Sequence, residues 1–244
     1  MKYKFHFHVV FLFFVNICIS QNTNQNSKFY ALFDAYVQTE NLEVYNGKEF
    51  LDEHPELIRT SKTNNKFFGV YDFLKGTVTY NHQPYFDIEL KYNLVDDLVL
   101  VKYINEKVNL LSLNSSLLSN FSVLGKTFVK LPKSNAIASS VYANGFFEEQ
   151  YKGTHFSFYV KHQKEVIEEH LDGRIVYSFR RYENYIVGNN SNYYHIATKK
   201  QALKSFPAKE KEIKQFFKKN KILRKADKQK FYHNLFRHLD TLND

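Results

Sequence analysis

The residues capable of chemistry are concentrated in the second half of the chain. His155, His162, His170 and His195 lie there, with Glu165, Glu168 and Glu169 among them. On a helix, His162, Glu165 and Glu169 would share a face and offer one nitrogen and two carboxylates to a metal ion. Their spacing matches no zinc motif, and no His-Glu-x-x-His run occurs. A solvated hairpin without metal is the expected state of these groups. Acidic pairs recur at Asp96-Asp97, Glu148-Glu149 and Glu168-Glu169. General acid–base work needs two carboxylates converging on one substrate, whereas strand neighbours point to opposite faces. No G-x-S-x-G elbow is present, and the glycines are too scattered to cradle a phosphate. These residues call for no cofactor and lean away from an enzyme. A hydrolase using His162 or His155 with a nearby carboxylate is the remaining catalytic alternative.

Charge gives the stronger pull on a partner. Net charge is +9, and residues 199–230 carry 13 Lys or Arg against Glu210, Glu212 and Asp227. Lys211, Lys214, Lys218, Lys219, Lys221, Arg224 and Lys225 are the candidate basic surface. Such a run attracts nucleic acid, anionic lipid or an acidic polymer. Two arrangements are open to it. Either Ile213, Phe216 and Phe217 dock on the rest of the fold and the lysines form a solvated outer face, which is the expected case, or the amphipathic helix lies on an anionic membrane surface.

The compartment bears on that choice. Lys2 and Lys4 precede the apolar run Val9–Val15, and Cys18 and Ser20 are small residues suited to cleavage before Gln21. Residues 1–20 therefore read as a signal peptide. The apolar stretch is short of the roughly 20 residues needed to span a bilayer. Lipid anchoring through Cys18 is the lesser alternative, because bulky Ile17 precedes it. The mature chain then holds no cysteine, which removes disulfides and thiolate chemistry. Export to the periplasm or cell envelope argues against nucleic acid and leaves lipid, an anionic membrane surface or an envelope protein as partner.

The elements that must position these groups are mostly strands. Residues 21–28 are polar and aperiodic, a flexible leader; 29–198 form a β domain and 199–244 a basic helical segment. Phe29–Val37 reads as a strand or short helix, and Phe50–Arg59 holds a helical turn. Gly76–Tyr80 is a strand, Asn81–Pro84 a turn, and Tyr85–Tyr92 alternates with Phe86, Ile88, Leu90 and Tyr92 on one face. Strands follow at Leu98–Ile104, Val108–Leu113, Phe121–Leu124 and Thr127–Leu131, the last two joined at Gly125-Lys126. This reads as a meander of about six strands. A loop spans Pro132–Asn144. A second β block begins at Gly145 and turns again at Gly188–Asn192. Thr198 caps a first helix, Pro207 starts a second, and Asp227 caps a third with Phe231, Leu235, Leu239 and Leu242 on one side.

The run GTVTYNHQPYFDIELKYNLVDDLVLV from Gly76, then FSVLGKTFVKL from Phe121 and YYHIATKKQALKSFPAKEKEIKQFFKKNKI from Tyr193, resembles a group of uncharacterised exported proteins of Gram-negative bacteria. The shared cadence is a G-x-V-x-Y…Q-x-Y…L-x-Y block before a Y-x-I…K-x-x-L…F-P-x-K-x-x-I-K ending, over most of residues 67–244. The resemblance implies an envelope location and brings no activity. The expected architecture is mainly β (α+β): a curved antiparallel sheet or half-barrel with C-terminal helices packed on it. The expected function is a non-catalytic exported binding or carrier module for an apolar or amphiphilic ligand held on an aromatic concave face. A structural or protein-interaction module of the envelope is the alternative.

Overall fold

Alternating aromatic and β-branched residues dominate the chain between residues 74 and 195, and they fold into ten antiparallel strands, joined by a short eleventh at Lys48–Glu49. The computed structural model describes residues 28–30, 32, 42–55, 62–105, 107–135 and 137–242. Two units separate, Met1–Leu42 and Glu43–Asp244. In the first, the described residues 28–30 and 32 are helical. Residues 1–20, expected to be a signal peptide, and residues 21–27 of the expected leader lie outside the described residues. In the second unit, residues 50–55 contain no helical turn, and 56–61 lie outside the described residues.

The strands are β1 (Lys48–Glu49), β2 (Leu74–Tyr80), β3 (Gln83–Asn93), β4 (Leu98–Asn105), β5 (Lys107–Ser112), β6 (Leu118–Val123), β7 (Lys126–Lys130), β8 (Phe146–Lys152), β9 (Phe156–Leu171), β10 (Arg174–Asn189) and β11 (Asn192–His195). They form one open, curved sheet in the order β1-β5-β4-β3-β2-β6-β7-β8-β9-β10-β11. A simple meander therefore gives way to a return. After β5 the chain runs back along the sheet, Leu113 bonding to Val99 and Leu117 to Asn81, so that β6 pairs with the free side of β2.

Four hairpins share one device. Asn81/His82, Leu124/Gly125, Asp172/Gly173 and Asn190/Ser191 all have positive φ at both turn positions. Such turns match the right-handed twist of the strands they join. The β6–β7 turn thus falls at Leu124-Gly125, one residue earlier than expected. Asp172-Gly173 closes the longest hairpin, whose strands each run 16 residues. His162–His170 is accordingly extended, and the helical face that would have gathered His162, Glu165 and Glu169 does not form.

The alternation in β3 also breaks. Gly76 pairs with Ile88 but Val78 with Tyr85, so Phe86 and Asp87 together face one residue of β2. Asp87 takes φ +55° to allow this. A bulge of this kind shifts side-chain parity along the strand. Tyr85, rather than Phe86, joins Ile88, Leu90 and Tyr92 in the core.

Helices lie on both faces of the second β block. Inside the stretch expected to be a loop, α1 (Ser139–Tyr142) packs through Tyr142 on Phe147, Tyr159 and Ile186. The others, α2 (Lys199–Ser205), α3 (Glu210–Lys219), α4 (Lys221–Ala226) and α5 (Lys228–Thr241), with a 3-10 turn at Pro207–Lys209 leading into α3, lie on the face that carries Phe158, Tyr185 and Val187. Thr198 caps α2 by accepting from the Gln201 N–H at 3.2 Å, and Asp227 caps α5 by accepting from the Lys230 N–H at 2.8 Å. The break at Asn220, which splits α4 from α3, has no Pro or Gly to announce it. Helix α5 lies on Phe156 and Phe158 through Phe236, with ring centroids 5.9 and 6.2 Å apart. Phe231, Leu235, Phe236 and Leu239 are fully buried, each worth about 1.5–3 kcal/mol relative to exposure. Leu242 departs from the expected stripe and is 49% exposed.

Candidate functional site: the basic helical face

Helix α3 settles which way the basic segment faces. Ile213 and Phe217 are buried against the sheet and α5, so the turn-to-turn geometry sends the intervening lysines outward. Lys211, Lys214, Lys218, Lys219, Lys221 and Lys225 are exposed. Lys214 is paired with Glu210, one turn earlier. Arg224 is half-buried, its guanidinium 5.4 Å from the Phe217 ring, where it packs as much as it charges the surface. Lys218, Lys219, Lys221 and Lys225 have no ion-pair partner among the described residues.

The third member of the apolar stripe behaves differently. Phe216 is half-buried and stacks on His238 with centroids 5.7 Å apart. It forms the floor of a groove of about 500 Å³ between α3 and the end of α5. Leu242 adds apolar surface, Lys209, Lys211, Lys219 and His238 surround it, and Glu212 is its acidic member. The arrangement suits a ligand with an apolar body and an anionic group. Lys211 and Lys219 were among the candidates from the sequence, whereas Lys209 and His238 were not, because the groove needs α5 to fold back along α3.

The aromatic face of the second β block is not open to a ligand where α5 lies. Phe158, Tyr185 and Val187 are buried in one cluster with Phe217, Tyr232 and Phe236. Further along, Phe68 sits edge-on to Phe128 at 5.0 Å, and Phe121 stacks on Phe128 at 4.8 Å.

The histidines separate. His170 is exposed, and His195 is half-buried on β11 with its value lowered by burial and by nearby Lys228. The His155 N–H donates to Asp240. His162 has the strongest carboxylate surroundings. Its Nε2 lies 2.5 Å from Glu148 Oε2, and its Nδ1 is 3.4 Å from Glu183 Oε1 and 3.2 Å from Arg181 Nη2. Lys126 pairs with the other oxygen of Glu148. The imidazole is fully buried, packed on Phe68 at 5.0 Å, so substrate reaches it only if β8, β9 and β10 part. No group of three or more His, Cys, Asp or Glu that could hold a metal occurs among the described residues.

This cluster ties three strands together and makes stability depend on acid. The His162 contact holds the Glu183 carboxyl down to about 2, against the opposing effect of burial and with help from Arg181. Burial pushes Glu148 up, but His162 and Lys126 together bring it below its ordinary value. Both carboxyls bind protons more weakly in the folded chain than in the unfolded one. Their contribution is complete above the ordinary Glu value of 4.5 and is lost as pH falls toward 2. Glu183→Gln removes on the order of 2 kcal/mol at pH 7 and flattens the fall of melting temperature over that window. An identical acid profile in wild type and variant contradicts this role.

No helix among the described residues is long and apolar enough to cross a membrane. No known protein family, curated protein or solved structure matches the chain.

Proposed function

We propose that the chain is an exported, non-catalytic binding module that engages an anionic amphiphile on the outer face of its helical layer. The groove over Phe216, ringed by Lys209, Lys211, Lys219 and His238, carries this reading. It replaces the aromatic face of the sheet as the ligand side, since α5 already fills that face. An apolar floor removes an alkyl chain from water while the ammonium groups pair with its head.

Myristate below its micellar concentration is the probe. It is expected to bind the wild-type protein, and the double variant Lys211→Glu/Lys219→Glu is expected to weaken binding by at least about tenfold. Both lysines are exposed, so the melting temperature without ligand should be unchanged. Equal affinity in the variant sinks the reading.

A further inference from the structure

A second feature of the same basic face has a different shape. Ile222, at the start of α4, is 86% exposed, the highest exposure of any large apolar side chain among the described residues. Lys221 is its chain neighbour, Lys218 and Lys219 lie just before Asn220, and Lys225 follows within the same helix. All four lysines are exposed and have no ion-pair partner among the described residues. Leu223, by contrast, packs against the core, so α4 is anchored on one side and presents Ile222 on the other.

An apolar tip ringed by unpaired cations is poorly matched to water and to a neutral surface. It is well matched to the boundary of an anionic bilayer. There the ammonium groups sit among phosphates while the branched side chain enters the acyl boundary. A soluble acidic polymer would satisfy the lysines and leave Ile222 wet. We infer that the α3–α4 junction docks the protein on an anionic lipid bilayer, with Ile222 inserted and Lys218, Lys219, Lys221 and Lys225 paired to headgroups. This rests on the proposed use of the basic face for an anionic amphiphile and names the form in which that amphiphile is met.

The chain contains no tryptophan, which makes a local test available. Ile222→Trp introduces a single indole at the tip, and Ile175→Trp places one at another exposed apolar site, on the β9–β10 hairpin. With vesicles of equal parts phosphatidylcholine and phosphatidylglycerol, the emission of Ile222→Trp is expected to shift to the blue, while that of Ile175→Trp stays put. Vesicles of phosphatidylcholine alone should shift neither. Ile222→Ser should weaken sedimentation with the anionic vesicles about fivefold. The triple variant Lys218→Gln/Lys221→Gln/Lys225→Gln should weaken it roughly a hundredfold. No shift at Ile222→Trp, or an equal shift at Ile175→Trp, overturns the docking. If that happens while myristate still binds, only the bilayer inference fails; if myristate fails as well, the reading of the basic face falls with it.

Discussion

Replacing Asp240 by Ala is expected to lower the stability of the fold by about 3–5 kcal/mol, a large share of the total for a domain of this kind. Asp240 sits near the end of α5 and is 4% exposed. Its carboxylate accepts from the Tyr151 hydroxyl at 2.6 Å and from three successive backbone N–H groups: Thr154 at 3.1 Å, His155 at 2.7 Å and Phe156 at 2.8 Å. These donors line the β8–β9 turn, so one side chain fastens the last helix to the sheet. Removing it leaves four donors without their acceptor, the Phe156 N–H buried and those of Tyr151 and His155 half-buried, and a buried donor left unpaired costs more than its bond contributes net. Burial alone would raise the Asp240 carboxyl, yet the four donors bring it below its ordinary value of 3.8. Its contribution is therefore present above that value and lost as pH falls below it.

Gly153 gives an independent check. A Cβ there would overlap the Asp240 carboxylate and the Tyr151 hydroxyl. Gly153→Ala should destabilise the wild type yet cost much less when Asp240→Ala has vacated the space. The coupling expected in a urea-unfolding cycle exceeds about 1 kcal/mol. Additive effects of the two changes would contradict the latch.

The second large effect is expected at Lys161. Its ammonium is fully buried, 2.5 Å from Asp97 Oδ1 and 2.9 Å from the Phe146 carbonyl, and 5.2 Å from the Phe147 ring. Asp97 also accepts from the Tyr92 hydroxyl at 2.5 Å and from the Asn144 N–H at 2.6 Å. Four parts of the sheet meet at this pair: the end of β3, the β3–β4 turn, the segment before β8, and β9. Burial raises Asp97 and lowers Lys161 despite their mutual attraction, so loss of hydration outweighs the partner at each group. Lys161→Met leaves a buried carboxylate without its cation and should cost about 3–5 kcal/mol. Adding Asp97→Asn, which keeps a residue tolerant of the φ of +56°, should restore part of that loss. If the double variant is no more stable than Lys161→Met, charge is not what the site balances.

The residues that carry these two effects also mark the limit of what was legible along the chain. Asp240 lies 84 residues from Phe156, and Asp97 lies 64 residues from Lys161. No local spacing encodes such pairs. In the linear pattern Asp97 belonged to an acidic doublet in a turn, and Lys161 to the polar side of a strand. His162 read as a solvated histidine because Glu148 and Glu183, its partners, sit on other strands. The exposure of Ile222 follows from the break at Asn220 between α3 and α4, which no neighbouring residue type marks.

Local chemistry, by contrast, was enough for the elements themselves. Alternation with period two is a property of neighbouring residues, and it marked nearly every strand from Gly76 to Ala197. Thr198, Pro207 and Asp227 act within a few residues of themselves, so the starts of α2, α3 and α5 were legible as well, whereas those of α1 and α4 were not. The spacing of Ile213 and Phe217 already implied that the lysines of α3 face outward. Sheet order, the β3 bulge, the return of β6 to β2 and the groove between α3 and α5 depended on which distant surfaces meet. Those choices follow from burying the most apolar area while leaving no buried charge or backbone group unpaired, a condition on the whole chain that only the tertiary structure decided.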